Sequence, residues 1–396
     1  MTSRILVCGS GNTAHVLAGL LSANPAFEVR LFTQNAGKAA RWREAVAEGD
    51  LVVMQGINGH AREAARAGCV LVSDDPAIAR GCDLIFTAVT AFVLGDYLAR
   101  LAPHIENGAV LVGFPGQGGF EYEVGQHLAN KPIVVMNFES APWACRVLRF
   151  GRLVQICGAK TYLTGALRGD RTRARIADPF GLIRRIVGPQ TRVVESPSLL
   201  AITLMSVNAY SHPPIMYGAW KDWDGQPLAE PPIFYQGISR ETAGLITCMS
   251  DEVLAIRDRI VKRFPHEDLT AVIPMLTWDR LAYGSEIADS STQFTALRTN
   301  HAYQTMTHPM MREAAGGWVP DFQSRFLSED VPCGLVPIRG VAELAEVETP
   351  CIDEVLRWSQ AKLHRTYLDG SRFTGSDLSA TTCPQRYGLD SLASIL

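Results

Sequence analysis

The sequence predicts an α/β fold in two domains: an N-terminal doubly wound, mostly parallel sheet, followed by a mainly α-helical second domain. Up to about residue 196, short apolar segments alternate with helical patterns, and from residue 199 onward the apolar periodicity is helical. Strands that are apolar along their whole length are typical of a parallel sheet covered on both faces. A chain of 396 residues also exceeds the size of one ordinary core. We therefore predict domains over residues 1–196 and 197–396.

The first element is an apolar strand, Ile5–Cys8, that runs into a glycine-rich turn and then an apolar helix. A G-x-G-x-x-A turn in this context is the dinucleotide-binding fingerprint of a Rossmann-type domain. The first glycine lets the chain turn, the second lets a pyrophosphate approach the backbone, and the small alanine lets the helix pack on the strand. The N–H groups of the helix's first turn then bind the phosphates. The predicted cofactor-binding residues of this turn are Gly9, Gly11, Asn12, Thr13 and Ala14.

Further apolar strands and helices follow this turn, and several strands end in polar or glycine-rich segments. The carboxyl ends of parallel strands are where open α/β sheets bind ligands. The predicted strands are Glu28–Thr33, Leu51–Met54, Cys69–Val72, Leu84–Val89, Ala109–Phe114, Ile133–Asn137 and Thr191–Glu195, and predicted helices include Ala91–Ala102 and Phe120–Leu128.

In the second domain, Ser196-Pro197-Ser198 is typical of a helix start, with a capping serine and a proline in the first turn. The polar, turn-rich tail from Asp369 is compatible with an ordered extension or a loose end. The predicted helices are Leu199–Tyr210, Thr242–Phe264, Ala296–Thr299 with its neighbours, and Cys351–Leu363.

Composition excludes several classes of protein. A net charge of −3 provides no bulk attraction to nucleic acid or to an anionic membrane, and no apolar run is long enough to cross a bilayer. The first predicted strand begins at Ile5, close to the start of the sequence, so we expect no signal peptide. Nine cysteines without C-x-x-C pairs favour reduced thiols in a cytoplasmic enzyme over a disulfide framework. The histidines show no metal-ligand spacing, so we expect no metal site.

The residues after the second strand leave the choice of nicotinamide cofactor open. An NAD-specific fold ends this strand with an acid that binds the adenosine ribose, but here Thr33, Gln34 and Asn35 follow. Their side chains can still hydrogen-bond a ribose. Lys38 and Arg41 could contact the 2′-phosphate of NADP or could be solvated helix residues. Both NAD and NADP are therefore compatible with the pattern.

Two segments of the second domain carry candidate catalytic groups. His212 follows an apolar segment and precedes Pro213, which predicts that a helix ends there and that its dipole favours an imidazolium. Such a group could donate a proton to a carbonyl oxygen, or it could simply cap the last carbonyls. Arg325 offers a planar fork for a carboxylate, and Asp330 could orient the histidine. A surface Arg–Asp pair is the alternative interpretation.

Seven segments, in this order, resemble the octopine dehydrogenase family, the opine dehydrogenases, over nearly the whole chain. The resemblance implies an NADH-dependent reductive condensation of an α-amino acid or taurine with pyruvate to an N-(1-carboxyethyl)amino acid, with NADP not excluded. The segments are Val7–His15, Gly116–Phe120, Pro142–Arg146, His212-Pro213, Trp278–Leu281, Asn300–Tyr303 and Arg325–Asp330.

The resemblance also implies residue roles. His212 would protonate or polarise the pyruvate carbonyl, Asp330 would orient it, and Arg325 would bind the pyruvate carboxylate. Gln117, Cys145 and Trp278 match positions that the family uses around the amino acid, and Cys145 would be a weakly polar wall. An arginine substrate would need an acid facing its guanidinium. Glu139 is a candidate for that acid, unless it is a surface acid at a strand end.

Two other functions are weighed against this interpretation. The first is a 2-keto acid reductase of the same two-domain plan without condensation. Such relatives usually rely on a lysine in the helical domain, and none of the lysines there (Lys221, Lys262 and Lys362) lies in a site-like segment. The second is a non-catalytic NAD(H)-binding sensor, which would not need the histidine, arginine and aspartate. The pattern leaves the amino acid unassigned, and either a monomer or a dimer is compatible with it.

Overall fold

The computed structural model describes residues 2–56, 61–314 and 316–396. By its internal contacts the chain divides into two compact units. The first comprises Met1–Gly116 and Glu123–Glu195, and the second comprises Gln117–Tyr122 and Ser196–Leu396. Among the helices of the described residues, none has the length and apolar character needed to cross a membrane.

The described residues of the first unit form twelve strands in two sheets. Their bounds are β1 Ser3–Cys8, β2 Phe27–Phe32, β3 Val52–Gln55, β4 Arg62–Arg66, β5 Val70–Ser73, β6 Leu84–Thr87, β7 Val110–Gly113, β8 Val134–Phe138, β9 Trp143–Arg149, β10 Leu153–Ala159, β11 Tyr162–Arg168 and β12 Arg192–Ser196. The large sheet has eight strands in the order β12-β11-β8-β7-β6-β1-β2-β5. From β8 to β5 all neighbours are parallel, whereas β11 runs antiparallel to β8. The predicted parallel sheet is therefore present, with an antiparallel extension at one side.

The second sheet was not predicted. It has four strands in the order β4-β3-β10-β9, so the predicted strand Leu51–Met54 forms as β3 but lies outside the large sheet. Strands β4 and β9 expose alternate or successive residues and carry several arginines. A strand with one solvated face alternates in polarity, so neither strand forms a continuously apolar segment in the sequence.

Helices cover the large sheet, and the strands reach them through turns at their carboxyl ends. Apolar residues of the helices Asn12–Ser22, Ala36–Glu48 and Pro179–Val187 and of the buried strands form one continuous core in this unit. The helices are α1 Asn12–Ser22, α2 Ala36–Glu48, α3 Leu94–Leu101, α4 Phe120–Leu128 and α5 Pro179–Val187.

The second unit is mainly helical, as predicted, with one short hairpin of β13 Met310–Arg312 and β14 Trp318–Pro320. Its longest helix, Arg240–Arg263, starts at a Ser239 cap and buries an apolar stripe that recurs every three or four residues. Its helices are α6 Leu199–Leu204, α7 His212–Trp220, α8 Arg240–Arg263, α9 Met275–Tyr283, α10 Gln293–Arg298, α11 Arg325–Ser328, α12 Val336–Ala345, α13 Pro350–Leu363 and α14 Leu392–Ile395.

One predicted helix boundary is wrong. The helix predicted over Leu199–Tyr210 ends at Leu204 as α6, turns follow, and His212 begins α7 rather than ending a helix. Pro213 and Pro214 lie in the first turn of α7, where the backbone N–H groups have no partner inside the helix. Prolines there cost no hydrogen bond, so the pair starts a helix instead of stopping one.

The pairing of the cysteines also differs from the prediction. Cys248 and Cys351 form a disulfide that joins α8 to α13, which corrects the expectation that all thiols are reduced. The seven other cysteines are free. The carboxylate of Glu252 accepts hydrogen bonds from the N–H groups of Cys351 and Ile352 at 2.7 and 2.9 Å.

The tail from Asp369 is packed, because its Phe373, Cys383, Leu392 and Ile395 belong to the core of the second unit.

Candidate functional site

The glycine turn after β1 has the geometry that a nucleotide phosphate needs. Gly9 has a φ of +118°, and a Cβ there would lie 2.4 Å from the carbonyl oxygen of Ala88, so only glycine fits. A Cβ on Gly11 would meet nothing within 4 Å. Gly11 precedes α1 without any side-chain cap, and the first turn holds no acid, while Ala14 is fully buried against the sheet. This turn therefore fits a pyrophosphate at the N-terminus of α1.

The turn is fixed by the neighbouring hairpin of β9 and β10. The Oδ1 atom of Asn12 accepts the N–H of Val147 at 3.0 Å, and Nε2 of His15 accepts the N–H of Gly151 at 3.0 Å. Nδ1 of His15 donates to the carbonyl of Gly11 at 2.8 Å. Burial lowers the pKa of His15 to about 4, so this ring stays neutral near pH 7. Asn12 thus has a structural partner in addition to its predicted role at the cofactor.

Among the predicted ribose-binding residues after β2, Gln34 and Arg41 make contacts within the protein and Thr33 is buried. Thr33 is buried, and the backbone N–H of Gln34 donates to the hydroxyl of Tyr97 at 3.3 Å. The guanidinium of Arg41 lies 4.4 Å from the ring centre of Phe150, a cation–π distance, on an exposed side chain. The contacts of Thr33, Gln34 and Arg41 with a cofactor remain a prediction.

In the second unit the predicted catalytic histidine and aspartate come together. Nδ1 of His212 lies 2.7 Å from Oδ2 of Asp330, and the side chains are 10% and 5% exposed. The Phe326 ring stacks on the imidazole at 4.0 Å between centroids and 20° between planes. Nε2 lies 2.7 Å from the hydroxyl of Tyr235. The histidine is therefore held at both nitrogens and on one face.

The source of charge stabilisation differs from the prediction. His212 begins α7, so the nearby end of the helix dipole is its positive end, which opposes an imidazolium. The Asp330 carboxylate has the opposite effect, because it is buried and bonds Nδ1 directly. An ionised carboxylate only accepts hydrogen bonds, so Nδ1 is the donor to an ionised Asp330, and Nε2 is the nitrogen that faces the Tyr235 hydroxyl.

Arg325 and Gln117 also lie at this pair. Arg325 begins α11; its Nε donates to Glu329, which is buried, while 65% of the arginine side chain is exposed. The predicted surface pair with Asp330 is replaced by this pair with Glu329. Gln117 has a φ of +65°, which is uncommon for a residue with a side chain, and its Nε2 lies 3.5 Å from Oδ1 of Asp330.

The remaining predicted substrate residues fall into two groups. Trp278 is buried in α9 of the second unit, with its ring centre 5.9 Å from that of Tyr283. Cys145 lies on β9 of the first unit, where burial raises its pKa to about 11, so the thiol stays protonated. This agrees with a weakly polar wall rather than a nucleophile.

Glu139 is not a free surface acid. It lies directly after β8, is 5% exposed, and its Oε2 accepts the N–H of Thr164 at 2.7 Å. The ammonium of Lys160 donates to the carbonyl of Ala141 at 2.6 Å. Burial lowers the pKa of Lys160 to about 8, while the charge of Glu139 acts in the opposite direction. A cation of the protein itself, Lys160, therefore already interacts electrostatically with Glu139.

Sequence reasoning missed the aromatic residues around the histidine. Tyr235 and Phe234 lie in the segment between α7 and α8, and Phe326 lies one residue after Arg325. No spacing relates the first two to His212. Phe326 lies inside the segment Arg325–Asp330, which was already a candidate for the site. That position is the one sequence signal that could have indicated a contact with His212.

Comparisons with known proteins identify the family of this chain. A family model described as NAD/NADP octopine/nopaline dehydrogenase, alpha-helical domain, matches residues 195–363. Tauropine dehydrogenase from Arabella iricolor is 40% identical over 99% of this chain and 99% of its own length. An octopine dehydrogenase solved with NADH and L-arginine has a TM-score of 0.91 and 35% identity, covering 100% of this chain and 98% of that one. An octopine dehydrogenase solved with NADH and pyruvate has a TM-score of 0.89 and 34% identity over the same shares.

The chain belongs to the octopine dehydrogenase family. It is an NAD-dependent oxidoreductase of the opine dehydrogenase type. The predicted fold class, enzyme class and cofactor are thereby confirmed.

Proposed function

We propose that this member of the octopine dehydrogenase family condenses pyruvate with an amine whose side chain carries no positive charge. The product, after reduction with NADH, is an N-(1-carboxyethyl) compound. The observation that carries the catalytic assignment is the buried bond of 2.7 Å between Nδ1 of His212 and Oδ2 of Asp330. The relatives solved with NADH and with pyruvate or L-arginine support the reaction class.

His212 acts as the general acid of the condensation. As the amine nitrogen forms a bond to the carbonyl carbon of pyruvate, the carbonyl oxygen gains negative charge and takes a proton that His212 supplies. Asp330 stabilises the imidazolium before this transfer and keeps Nδ1 protonated after it. General acid catalysis of this kind accelerates a reaction roughly a hundredfold to ten-thousandfold.

Arg325 binds the pyruvate carboxylate. Its Nε is held by Glu329, which fixes the plane of the guanidinium and directs the exposed part of the fork outward. A planar fork binds a carboxylate through two parallel hydrogen bonds, so it positions the keto acid as well as attracting it. Gln117, beside Asp330, is proposed to contact the amine substrate, as are Cys145 and Trp278.

The glycine turn holds the cofactor. Gly9 and Gly11 allow the pyrophosphate to approach the N-terminus of α1, as the open space at Gly11 supports. NADH, when bound, supplies the hydride that reduces the imine carbon. Thr33 and Gln34 are the proposed ribose contacts, with Arg41 at the adenosine end.

The charge around Glu139 supports the proposed amine class. An arginine substrate would need an acid for its guanidinium, and Glu139 was the candidate. In this chain Glu139 already binds the N–H of Thr164 and lies near the Lys160 ammonium. A second cation would be repelled there, whereas taurine, alanine, glycine or β-alanine brings no side-chain cation. The identity of 40% to a tauropine dehydrogenase supports the same class.

An NADH-oxidation panel tests the proposal. Pyruvate is combined in turn with taurine, β-alanine, L-alanine, glycine, L-arginine and agmatine, and the panel is repeated with NADPH. We expect NADH oxidation that depends on the amine, with kcat/KM for arginine at least about tenfold below that for the best uncharged amine. Highest kcat/KM with arginine would reject the amine class while leaving the condensation intact.

Two controls separate the alternative functions. Equal NADH oxidation by pyruvate with and without amines would indicate a 2-keto acid reductase. Normal NADH binding by the wild type without NADH oxidation for any pair of pyruvate and amine would indicate a non-catalytic sensor. A His212→Asn variant that binds NADH normally and turns over every substrate at the wild-type rate would remove the catalytic assignment of His212.

We also propose that the protein acts in the cytoplasm. Seven of its nine cysteines are free, which suits a reducing compartment. Cell fractionation that recovers the protein with a secreted or luminal marker would contradict this.

A further inference from the structure

The second nitrogen of the catalytic histidine already has a partner. Nε2 of His212 lies 2.7 Å from the hydroxyl oxygen of Tyr235, and both side chains are buried. Because Nδ1 is bonded to Asp330, Nε2 is the nitrogen that gains and loses the catalytic proton. A direct transfer from Nε2 to substrate would require Tyr235 to leave this position.

Tyr235 is held firmly in that position. Its ring stacks on Tyr303 with 3.8 Å between centroids and 11° between planes. The preceding residue, Phe234, donates its backbone N–H to the carbonyl of Met306 at 2.8 Å. The Tyr235 side chain is therefore fixed by a stacked ring and by a backbone anchor.

The hydroxyl of Tyr235 can both accept and donate a proton without becoming charged. Burial, and then the nearby Tyr283 and Asp330, raise its pKa well above the ordinary value of 10. The group therefore stays neutral near pH 7. A neutral hydroxyl accepts from an imidazolium N–H through its lone pairs and donates its own hydrogen onward.

We propose that the hydroxyl of Tyr235 relays the proton from Nε2 of His212 to the substrate oxygen. The relay rests on the proposed function and deepens it. The Nε2–H bond breaks as the proton joins the Tyr235 oxygen, and the O–H proton of Tyr235 passes to the carbonyl oxygen of pyruvate. Tyr235 ends unchanged, His212 ends as a neutral ring bonded to Asp330, and the substrate oxygen becomes a hydroxyl. The imidazole then regains its proton from solvent.

The test is a proton inventory on single-turnover condensation in mixtures of H2O and D2O. With two protons in flight, the wild-type rate plotted against the deuterium fraction should curve downward. Tyr235→Phe keeps the ring stack and removes the hydroxyl. We expect its single-turnover rate to fall at least about tenfold, its KM values to stay within about twofold, and its inventory to become linear.

Tyr303→Phe is the matched control, because it removes a hydroxyl from the ring that stacks on Tyr235 without touching His212. It should retain the curved inventory and a rate near the wild-type value. A linear wild-type inventory, or a curved one in Tyr235→Phe, would overturn the relay. If Tyr235 had only a structural role, Tyr235→Phe would lower the thermal stability of the protein while its proton inventory stayed curved. Absence of amine-dependent NADH oxidation by the wild type would instead reject the proposed function.

Discussion

Replacing Asp330 by asparagine tests the proposed catalytic pair of His212 and Asp330 most directly. The amide oxygen can still accept the Nδ1–H of His212, so the ring orientation is kept while the negative charge is lost. Two opposite unit charges about 4 Å apart attract by about 4 kcal/mol at an effective dielectric constant of about 20. Each 1.4 kcal/mol or so corresponds to a factor of about ten in rate. We therefore expect kcat to fall about a thousandfold.

The assay is amine-dependent NADH oxidation at saturating pyruvate, with NADH affinity measured separately by fluorescence titration. Asp353→Asn is the matched control. Its carboxylate is also buried in the second unit, where Oδ1 accepts a hydrogen bond from Nε of Arg339 at 2.7 Å. That variant should lose stability and keep kcat. An Asp330→Asn enzyme that retains kcat within about tenfold of wild type would refute the view that Asp330 stabilises the charged histidine.

Three further predictions concern other charged groups. Arg325→Lys keeps the charge without the planar fork, so KM for pyruvate should rise about tenfold to a hundredfold with a smaller change in kcat, as steady-state kinetics will measure. Lys160→Met removes the cation near Glu139, so the ratio of kcat/KM for arginine to that for taurine should rise about tenfold, whereas Lys160→Arg should leave it unchanged. Burial raises the pKa of Asp279 from 3.8 to about 7, so the native state binds this proton more tightly than the unfolded state. Stability is then lost as pH rises from about 4 to 7, by at most about 4 kcal/mol, and urea unfolding of Asp279→Asn should show a much weaker decline.

The glycine turn could be predicted from the sequence because its determinants are local. A strand, a turn that needs a positive φ at Gly9, and the open position at Gly11 all lie within one stretch of about ten residues. Seven of the eight strands of the large sheet were likewise predicted from apolar segments, whereas β11 was not. The pairing of strands depends on residues far apart in the sequence. The segment Leu51–Met54 was therefore predicted for the large parallel sheet, whereas β3 lies in the four-stranded sheet. The half-exposed strands β9 and β10 lacked the apolar signal that the prediction used.

The boundary at His212 failed for a different reason. Two rules apply to the same prolines: a residue before proline is disfavoured in a helix, and proline is favoured in a helix's first turn. Here the prolines lie in the first turn of a helix, because α6 has already ended at Leu204 and a new helix begins at His212. The pattern around Pro213 is the same under either rule, and the tertiary packing of the intervening turns decides between them.

The pairing of His212 with Asp330 joins residues 118 positions apart. Chemistry alone suggested the partners, since a histidine acid needs an orienting carboxylate. The Tyr235 hydroxyl had no such signal. A tyrosine in a proline-flanked loop is usually a packing residue, and its contact with Nε2 exists only because the loop folds back over α7.

The position of His212 at a helix N-terminus changes what the site requires of Asp330. At a helix C-terminus, the helix dipole and Asp330 would both stabilise the imidazolium form of His212. At the start of α7 the dipole opposes that charge, by roughly 0.3 to 1 kcal/mol at an exposed site and more when partly buried. Asp330 must offset this as well as the cost of burial. The Tyr235 hydroxyl at Nε2 is neutral and adds no further positive charge, so Asp330 is the group that the proposed proton transfer depends on.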